Sequence, residues 1–415
     1  MKVLHVVSGD MSGGAARGAY WLHLALLEQG VTSRIITDAI PDSTKKYKHV
    51  YSLKENKVFN FLFYFQKFIK VICKKFFPSK ISLLFSFGID GYDIRAHYLY
   101  KDSDLIHLHH INSVISLKIL SKITKPLVWT LRDMWAFTGG CHYSLTCNKY
   151  LNHCTHCYQV SHLVPFNISS YILNRKQKLY PKSITYVAIS SWLADCASKS
   201  SLLNKANVKV IMNNVDTNSF KHINSTDAKN ELQIKDEKKI VLFGSLNVSD
   251  PYKGFKYFLE SLVYLDPQLC SVAIFGNIDS SIDISALNKF SPHFFGSIKD
   301  LRLLNLIYSA CDVFVAPSIQ EAFGKTLVES MIAGTPVVCF DHSGPSDIVV
   351  HEITGYKAKL FDSYDLSNGI NWLTSLSDYH YNQISLNCNS YATTTFSAEV
   401  SAQRYRSLYE NIIYQ

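Results

Sequence analysis

Two glutamates and a lysine stand close together in the second half of the sequence. Glu321 lies in a predicted loop after the apolar strand Val313–Ala316, and Glu329 follows eight residues later on a predicted helix that Gly334 ends. Both carboxylates can face one site at the carboxyl end of a parallel sheet. The start of the helix offers free N–H groups and a positive dipole end to a phosphate, and Lys325 adds a positive charge there. The pattern therefore indicates a site for a phosphate-bearing ligand.

The predicted elements that carry this site form two similar units. The first opens with the strand 2–8, which leads through Gly13 and Gly14 into a helical stretch. The second opens with the strand 239–243, which ends at Gly244 and is also followed by a helical stretch. Strands that alternate with helices at this spacing are typical of doubly wound parallel sheets. We therefore predict an α/β protein with two Rossmann-like domains.

The composition is that of a globular protein. Of the 415 residues, 47% are hydrophobic and 18% are charged. No stretch reaches the ~18 apolar residues that a membrane span needs, and the start of the chain lacks the features of a signal peptide, so we expect a cytoplasmic protein. The net charge of +9 suits an anionic partner such as a nucleotide, a lipid pyrophosphate or an anionic membrane surface. An RNA-binding aromatic signature and a continuous basic stripe are both missing, so nucleic acid is not an expected partner.

Several motifs together resemble the retaining glycosyltransferases of glycosyltransferase family 4, and the resemblance covers nearly the whole chain. The segment 129–143 looks like the subgroup that builds bacterial surface polysaccharides such as capsule and O-antigen. The motifs are Glu321, Phe323, Gly324 and Glu329 of a Glu-x7-Glu pattern, the strand 334–338, the hinge 214–216 with Phe220, the pair Lys253–Gly254, and the loop Gly13–Gly14.

This resemblance implies the GT-B fold, in which two Rossmann-like domains face a cleft that holds the reaction centre. The N-terminal, acceptor-side domain would span residues 1–214, with the C-terminal helix 397–415 packed back on it. The nucleotide-sugar-binding domain would span residues 215–396. The implied reaction transfers a sugar, with retention, from a UDP- or GDP-sugar to a lipid-linked saccharide acceptor in bacterial surface polysaccharide synthesis. It requires no divalent metal.

The resemblance also implies roles for the donor-side residues. Lys253 is the first candidate, and Lys325 the second, for stabilising the leaving diphosphate. Glu321 would lie near the donor sugar, and Glu329 would hold the ribose hydroxyls. The alternatives are an ordinary loop carboxylate and a glutamate on a solvated helix face. Further donor-binding positions are Gly13 and Gly14, whose lack of side chains lets the backbone approach the diphosphate, and Gly244, Phe323, Gly324 and Thr326.

On the acceptor side, the resemblance points to His109, Arg132 and Asp133. His109 resembles a strand-end histidine that faces the cleft and takes part in catalysis; core packing is the alternative. Arg132 stands where many relatives have a histidine, and it would either bind an acceptor phosphate or carboxylate or form an ion pair with Asp133. Ser245 stands where many relatives have an arginine. The absence of this arginine supports an alternative function, that of a GT-B protein that binds a nucleotide sugar without turnover.

Four cysteines form a C-x5-C-x6-C-x2-C run at Cys141, Cys147, Cys154 and Cys157. Four thiolates in so short a loop can close a tetrahedral structural zinc site. Disulfides and free thiols are the other two hypotheses, and the spacing does not decide among the three.

The segment 54–87 interleaves lysines with phenylalanines, including Lys57, Lys67 and Lys74. One interpretation is an interfacial helix that contacts the anionic inner-membrane surface, which suits a peripheral enzyme with a lipid-linked acceptor. The other is a pair of ordinary helices with phenylalanines in the core and lysines in solvent.

Overall fold

The computed structural model describes residues 1–39, 47–55, 60–81, 83–161 and 163–414. The chain forms two compact units: Met1–Asn214 together with Ala398–Gln415, and Val215–Ser397. Over the described ranges, no helix combines the length and the apolar character needed to cross a bilayer.

The first unit is built on a parallel sheet of seven strands. They are β1 (Lys2–Val6), β2 (Thr32–Thr37), β3 (Val50–Ser52), β4 (Leu105–Leu108), β5 (Leu127–Leu131), β6 (Ile184–Ala188) and β7 (Val208–Val210). Their order is β3-β2-β1-β4-β5-β6-β7, and every neighbouring pair is parallel. The central strands β4 and β5 are buried along their whole length, as expected for a sheet covered on both faces.

Among the described residues of the first unit, six helices come between these strands along the chain. They are α1 (Gly14–Glu28), α2 (Asn60–Phe76), α3 (Tyr98–Lys101), α4 (Leu117–Leu120), α5 (Ile168–Leu179) and α6 (Ser191–Lys199). Short 3₁₀ turns occur at Leu53–Glu55, Ile94–Ala96, Trp135–Phe137 and Lys149–Leu151.

The second unit is built on a parallel sheet of six strands. They are β8 (Lys239–Asn247), β9 (Cys270–Asn277), β10 (His293–Gly296), β11 (Val313–Ala316), β12 (Val337–Phe340) and β13 (Gly355–Ala358). Their order is β10-β9-β8-β11-β12-β13, again with every pair parallel. The two sheets confirm the predicted α/β class with two doubly wound parallel sheets.

The helices of the second unit are α7 (Ser225–Glu231), α8 (Phe255–Ser261), α9 (Leu301–Ala310), α10 (Lys325–Ile332), α11 (Ser343–Ile348), α12 (Ser363–Thr374) and α13 (Asp378–Phe396). Further 3₁₀ turns occur at Pro251–Lys253, Leu262–Tyr264 and Ser285–Phe290.

The last helix, α14 (Ala398–Tyr414), belongs to the first unit, where it packs on α1. Two buried tyrosines fix it to the sheet. The Tyr409 hydroxyl lies 2.6 Å from His107 Nδ1 at β4, and the Tyr405 hydroxyl lies 2.7 Å from Thr130 Oγ1 on β5. Buried polar groups of this kind need such partners, so they define where the helix docks.

Each sheet has one point at which the direction of winding reverses. This point lies between β1 and β4 in the first unit and between β8 and β11 in the second. Doubly wound sheets bind ligands outside the carboxyl ends of the strands at such a point. The loops that follow these four strands are therefore the positions to search for a site.

Candidate active site

In the second unit, the loops after β8 and β11 contact each other directly. The Ile319 N–H donates to the Tyr252 carbonyl oxygen at 2.9 Å, which joins the two loops through their backbones. Gly254 follows with φ +74°, and a side chain at this position would overlap the Pro317 carbonyl oxygen. Glycine is thus required here both for its left-handed conformation and for the close approach of the loops.

This contact brings Lys253 and Glu321 together. Lys253 ends the 3₁₀ turn after β8, and its Nζ forms an ion pair with Glu321 Oε2, with 20% and 17% of the two side chains exposed. The Glu321 backbone is held in turn, because its N–H donates to Ser343 Oγ at 3.1 Å. Partial burial makes such a pair stronger than one in bulk solvent, and the remaining exposure leaves it accessible to a ligand.

Helix α10 begins directly after this loop. Gly324 precedes it with φ +112°, and Lys325 and Thr326 are its half-buried first residues. Glu329 lies one turn later on the same face as Lys325. It is buried, and the Tyr308 hydroxyl donates to its Oε2 at 3.4 Å. The alternative of a solvated helix face is therefore wrong for Glu329.

Two other residues predicted to bind the donor, Phe323 and Gly244, are also required for packing within the second unit. The Phe323 side chain is buried against Phe396, with ring centroids 5.6 Å apart, so only its backbone is available to a ligand. A side chain at Gly244 would overlap the Phe275 ring. Ser245, beside it, is buried, and its Oγ has no hydrogen-bond partner among the residues the structure describes.

In the first unit, Gly13 and Gly14 lie where α1 begins, after the loop that follows β1. Gly13 caps the helix without a side-chain hydrogen bond. A Cβ built on either glycine meets nothing within 4 Å, so packing inside the protein does not require glycine at these positions. The open space beside this helix start is available to a ligand that approaches the backbone.

The loops after β4 and β5 line a small pocket that contains Asp133. His142 Nδ1 lies 2.7 Å and His110 Nε2 3.8 Å from Asp133 Oδ2, and both His110 and Asp133 line the pocket. The Trp135 N–H donates to Asp133 Oδ1 at 2.8 Å. Burial acts to raise the pKa of Asp133, but the charge and hydrogen bond of His142 outweigh it and bring that pKa to about 2.

His109 also lines this pocket, and its side chain contacts other buried residues of the first unit. Its Nε2 lies 3.0 Å from Nδ1 of His5, and its Nδ1 lies 3.2 Å from Nη2 of Arg132. Burial holds the pKa of His5, His107 and His109 well below the usual value. The His109 side chain is only 1% exposed, which supports the core-packing interpretation.

Arg132 does not pair with Asp133, so the ion-pair hypothesis is also wrong. Its Nη1 donates to Asn213 Oδ1, and its Nε has no hydrogen-bond partner among the described residues. Burial lowers the pKa of Arg132 to about 10, which still leaves the side chain charged near neutral pH. Arg132 is among the residues that line the pocket beside Asp133.

Comparison with known proteins relates the second unit to a known family. Residues 224–389, which hold the Lys253–Glu321 pair and Glu329, match the family model described as "Glycosyl transferases group 1". This match covers the second unit only, so it is this part of the chain that is similar to the group 1 glycosyltransferases. The chain is 27% identical, over 195 residues, to N,N'-diacetylbacillosaminyl-diphospho-undecaprenol alpha-1,3-N-acetylgalactosaminyltransferase of Campylobacter jejuni. That alignment covers 44% of this chain and 50% of the relative, so it spans about half the length of each.

Solved structures match the chain over its full length. Sucrose-phosphate synthase from Thermosynechococcus elongatus superposes with a TM-score of 0.70 at 18% identity, covering 100% of both chains. HepE from Anabaena, in complex with UDP and glucose, superposes with a TM-score of 0.66 at 18% identity, covering 99% of both chains. These matches confirm the predicted GT-B fold of the chain.

The structure does not bring the four cysteines of the predicted zinc site together as a set of ligands. Among the described residues, two groups of three side chains bring their ligand atoms within 4.8 Å of one another, and neither includes a cysteine. None of the four forms a disulfide, and burial raises the pKa of Cys141 to about 12 and that of Cys154 to about 11. The structure therefore does not support the zinc hypothesis.

His110 and His142 are functional candidates that the sequence analysis missed. A signal for His110 was present, because it follows β4 at the carboxyl end of the sheet, where doubly wound sheets bind ligands. His142 gave no signal, since its contact with Asp133 depends on the fold of the loop between them.

Proposed function

We propose that this protein is a group 1 glycosyltransferase that moves a sugar, with retention, from a nucleotide-sugar donor to a saccharide acceptor. The observation that carries the proposal is the half-buried Lys253–Glu321 pair beside the start of α10, with Glu329 buried one turn along that helix. A cation, a helix N-terminus and two carboxylates thus converge where a doubly wound sheet binds phosphates. The positive charge and the helix N-terminus suit a diphosphate, and the two carboxylates suit the hydroxyls of a ribose and a sugar.

In the proposed reaction, the bond between the anomeric carbon and the diphosphate oxygen breaks, and a bond to an acceptor oxygen forms. The acceptor hydroxyl loses its proton, and the nucleoside diphosphate leaves with the bonding electron pair. Negative charge grows on the diphosphate, so the groups that stabilise it contribute most to the rate. Lys253 is the first such group, and Lys325 with the N–H groups of α10 is the second.

The two carboxylates take different roles in this proposal. Glu321 is held by Lys253 and by the Ser343 hydroxyl at the mouth of the α10 loop, where it would contact the donor sugar. Glu329 is buried on α10, and a carboxylate accepts hydrogen bonds from two vicinal hydroxyls at once. We assign Glu329 to the ribose, Gly13 and Gly14 to backbone contacts with the diphosphate, and Gly244, Phe323, Gly324 and Thr326 to the wall of the donor site.

The donor we propose is a UDP-sugar, with a GDP-sugar as the alternative. The support is the likeness to HepE, whose structure holds UDP and glucose. The acceptor we propose is a lipid-linked saccharide of a bacterial surface polysaccharide, by analogy with the Campylobacter relative, whose name specifies a diphospho-undecaprenol acceptor. Arg132 and Asp133 at the pocket of the first unit would face this acceptor. The protein would then work at the cytoplasmic face of the membrane.

We further propose that the reaction needs no divalent metal. Lys253, Lys325 and backbone N–H groups supply positive charge for the diphosphate. Glu321 is already paired with an ammonium, which leaves it less suited to hold a cation as well.

One observation favours a second function, a GT-B protein that binds a nucleotide sugar without turnover. Ser245 is buried and neutral where many family members supply a second cation, so the site has one charge fewer for the leaving group.

A thermal-shift screen with UDP- and GDP-sugars tests the donor site, because a ligand that binds only the native state raises its melting temperature. We expect a shift with one nucleotide sugar, a smaller shift with the free sugar, and loss of the shift in Glu329→Ala. Release of nucleoside diphosphate from that donor then separates the two functions, since a protein without turnover releases none. If no nucleotide sugar shifts the protein, the donor site is wrongly assigned.

A further inference from the structure

Helix α2 is fixed to the first unit by one of its faces. On this face, Phe63 stacks on Tyr92 with ring centroids 4.3 Å apart. Lys70 Nζ donates to Asp90 Oδ2 and Ser113 Oγ, each at 2.8 Å. These contacts hold the helix, so its opposite face is not needed for docking on the sheet.

The opposite face is also apolar, and it is exposed to solvent. Phenylalanines and valines at intervals of three or four residues share one side of a helix. Leu163, which is 66% exposed, extends the surface because its N–H donates to the Phe76 carbonyl oxygen at 3.2 Å. The α2 outer face is defined by these residues, with the exposed fraction of each: Tyr64 62%, Phe65 56%, Phe68 62%, Val71 60%, Ile72 38% and Phe76 42%. A contiguous exposed apolar surface of this kind marks an interaction site.

The charge around the α2 outer face has a single sign. The exposed lysines Lys67, Lys74 and Lys75 lie on the same helix, and α2 contains no acidic residue. By helical spacing, Lys75 falls within the apolar face, and Lys67 and Lys74 flank it on one side. None of the three forms an ion pair with any residue that the structure describes. The surface is thus complementary to an apolar layer bordered by negative charge.

We propose that the α2 outer face binds the surface of a bilayer that contains anionic lipids. The helix lies in the plane of the interface, its rings enter the boundary between headgroups and acyl chains, and its lysines contact the headgroup phosphates. A protein partner would need acidic side chains placed opposite each lysine, whereas an anionic bilayer offers negative charge at every position along the helix. The proposed function places the protein at a membrane, and this inference rests on that location. It adds that the α2 outer face is the surface that contacts the membrane.

The test is sedimentation of the full chain with vesicles. One set contains phosphatidylcholine alone, and the other contains equal parts of phosphatidylcholine and phosphatidylglycerol. We expect binding to the anionic vesicles only, weakened by added salt because the lysine contribution is screened. Each lysine near an anionic surface contributes roughly fivefold to the partition coefficient, so Lys74→Gln with Lys75→Gln should lower it roughly 25-fold. Phe68→Ser should lower it by at least about tenfold, because the ring no longer leaves water.

Two exposed positions in the second unit supply matched controls. Val263 is 78% exposed and the Lys256 side chain is 78% exposed, so Val263→Ser and Lys256→Gln remove the same kinds of group from a different surface. Both should bind vesicles as the unsubstituted protein does. All of these positions are exposed, and equal melting temperatures confirm that each variant is folded.

Three outcomes overturn the inference. They are absence of binding to both vesicle types, equal binding to neutral and anionic vesicles, and equal loss of binding in the α2 and control variants. Concentration-dependent dimerisation that Phe68→Ser abolishes, without vesicle binding, would instead assign the face to a second copy of the chain. Vesicle binding without donor turnover would leave this inference standing and contradict the proposed function, so the two failures are distinguishable.

Discussion

The substitution Lys253→Ala removes the ammonium that forms the ion pair with Glu321. Lys253 is only one-fifth exposed and lies at the carboxyl end of β8, beside the start of α10. If it stabilises the leaving diphosphate, its interaction strengthens as charge develops, because the diphosphate is more negative in the transition state than in the bound donor. We therefore expect the substitution to lower kcat much more than donor affinity.

The size of this effect follows from the contact that is lost. A hydrogen bond to a charged group contributes about 1.5–3 kcal/mol, which corresponds to about 10- to 150-fold in rate. Removing a preorganised oxyanion donor costs about 10²–10³-fold, and Ser245 offers no second cation to compensate. We expect a fall in kcat of about 10²–10³-fold. The lost ion pair itself should lower the free energy of unfolding by only about 1 kcal/mol.

Steady-state kinetics with the donor found by thermal shift measure this prediction. Lys256→Ala is the control, because that lysine is exposed on the next helix and forms its ion pair with Glu260 of the same helix. The double variant with Glu321→Gln removes the carboxylate that Lys253→Ala leaves unpaired. Recovery of kcat in the double variant would show that the defect came from the orphaned carboxylate. A folded Lys253→Ala protein with most of its kcat would refute the leaving-group role and transfer it to Lys325.

Three further predictions concern the donor, the metal and the acceptor pocket. Glu329→Ala should weaken nucleotide-sugar binding about 10- to 100-fold by removing the ribose acceptor, measured by calorimetry; unchanged affinity would remove the ribose assignment. Dialysis against a chelator should leave kcat unchanged, and activity that falls and returns with an added divalent ion would contradict the proposed metal-free reaction. The pKa of Asp133 is about 2 in the folded state and 3.8 ordinarily, so its charge stabilises the fold by about 2 kcal/mol above pH 4. That contribution is lost as the pH falls from about 4 to 2. The free energy of unfolding, measured by urea titration, should therefore fall less steeply over this pH range in Asp133→Asn than in the unsubstituted protein. Equal slopes would mean that the pKa of Asp133 is not depressed.

The fold class was predictable because the local signals agree with the global one. Apolar strands that end in glycine and lead into helices occur in both halves, and the structure forms parallel sheets from them. The fixed topology of such sheets then places Lys253 beside Glu321, although 68 residues separate them in sequence. Spacing alone contains no information about that contact. The resemblance to family 4 identified both residues as candidates. The contact between the loops after β8 and β11 explains why they lie together.

The first unit was predicted less well. His109 was predicted to face a cleft, but its side chain is buried and contacts His5 and Arg132. Arg132 was predicted to pair with Asp133 if it did not bind an acceptor, but it donates to Asn213, which is 81 residues away in sequence and gave no signal. Cysteine spacing allowed zinc, disulfides or free thiols, and only the folded loop shows thiol sulfurs that do not converge.

The most direct test of the proposed function is release of nucleoside diphosphate from a panel of UDP- and GDP-sugars, with and without lipid-linked saccharide acceptors. We expect that the purified chain releases UDP or GDP from one donor, that an acceptor accelerates release, and that Lys253→Ala loses about 10²–10³-fold of this rate. The transferred sugar should keep the anomeric configuration of the donor, as read by NMR of the product. Binding of the donor with no release in the presence of any acceptor would contradict transferase activity and leave only a nucleotide-sugar-binding protein.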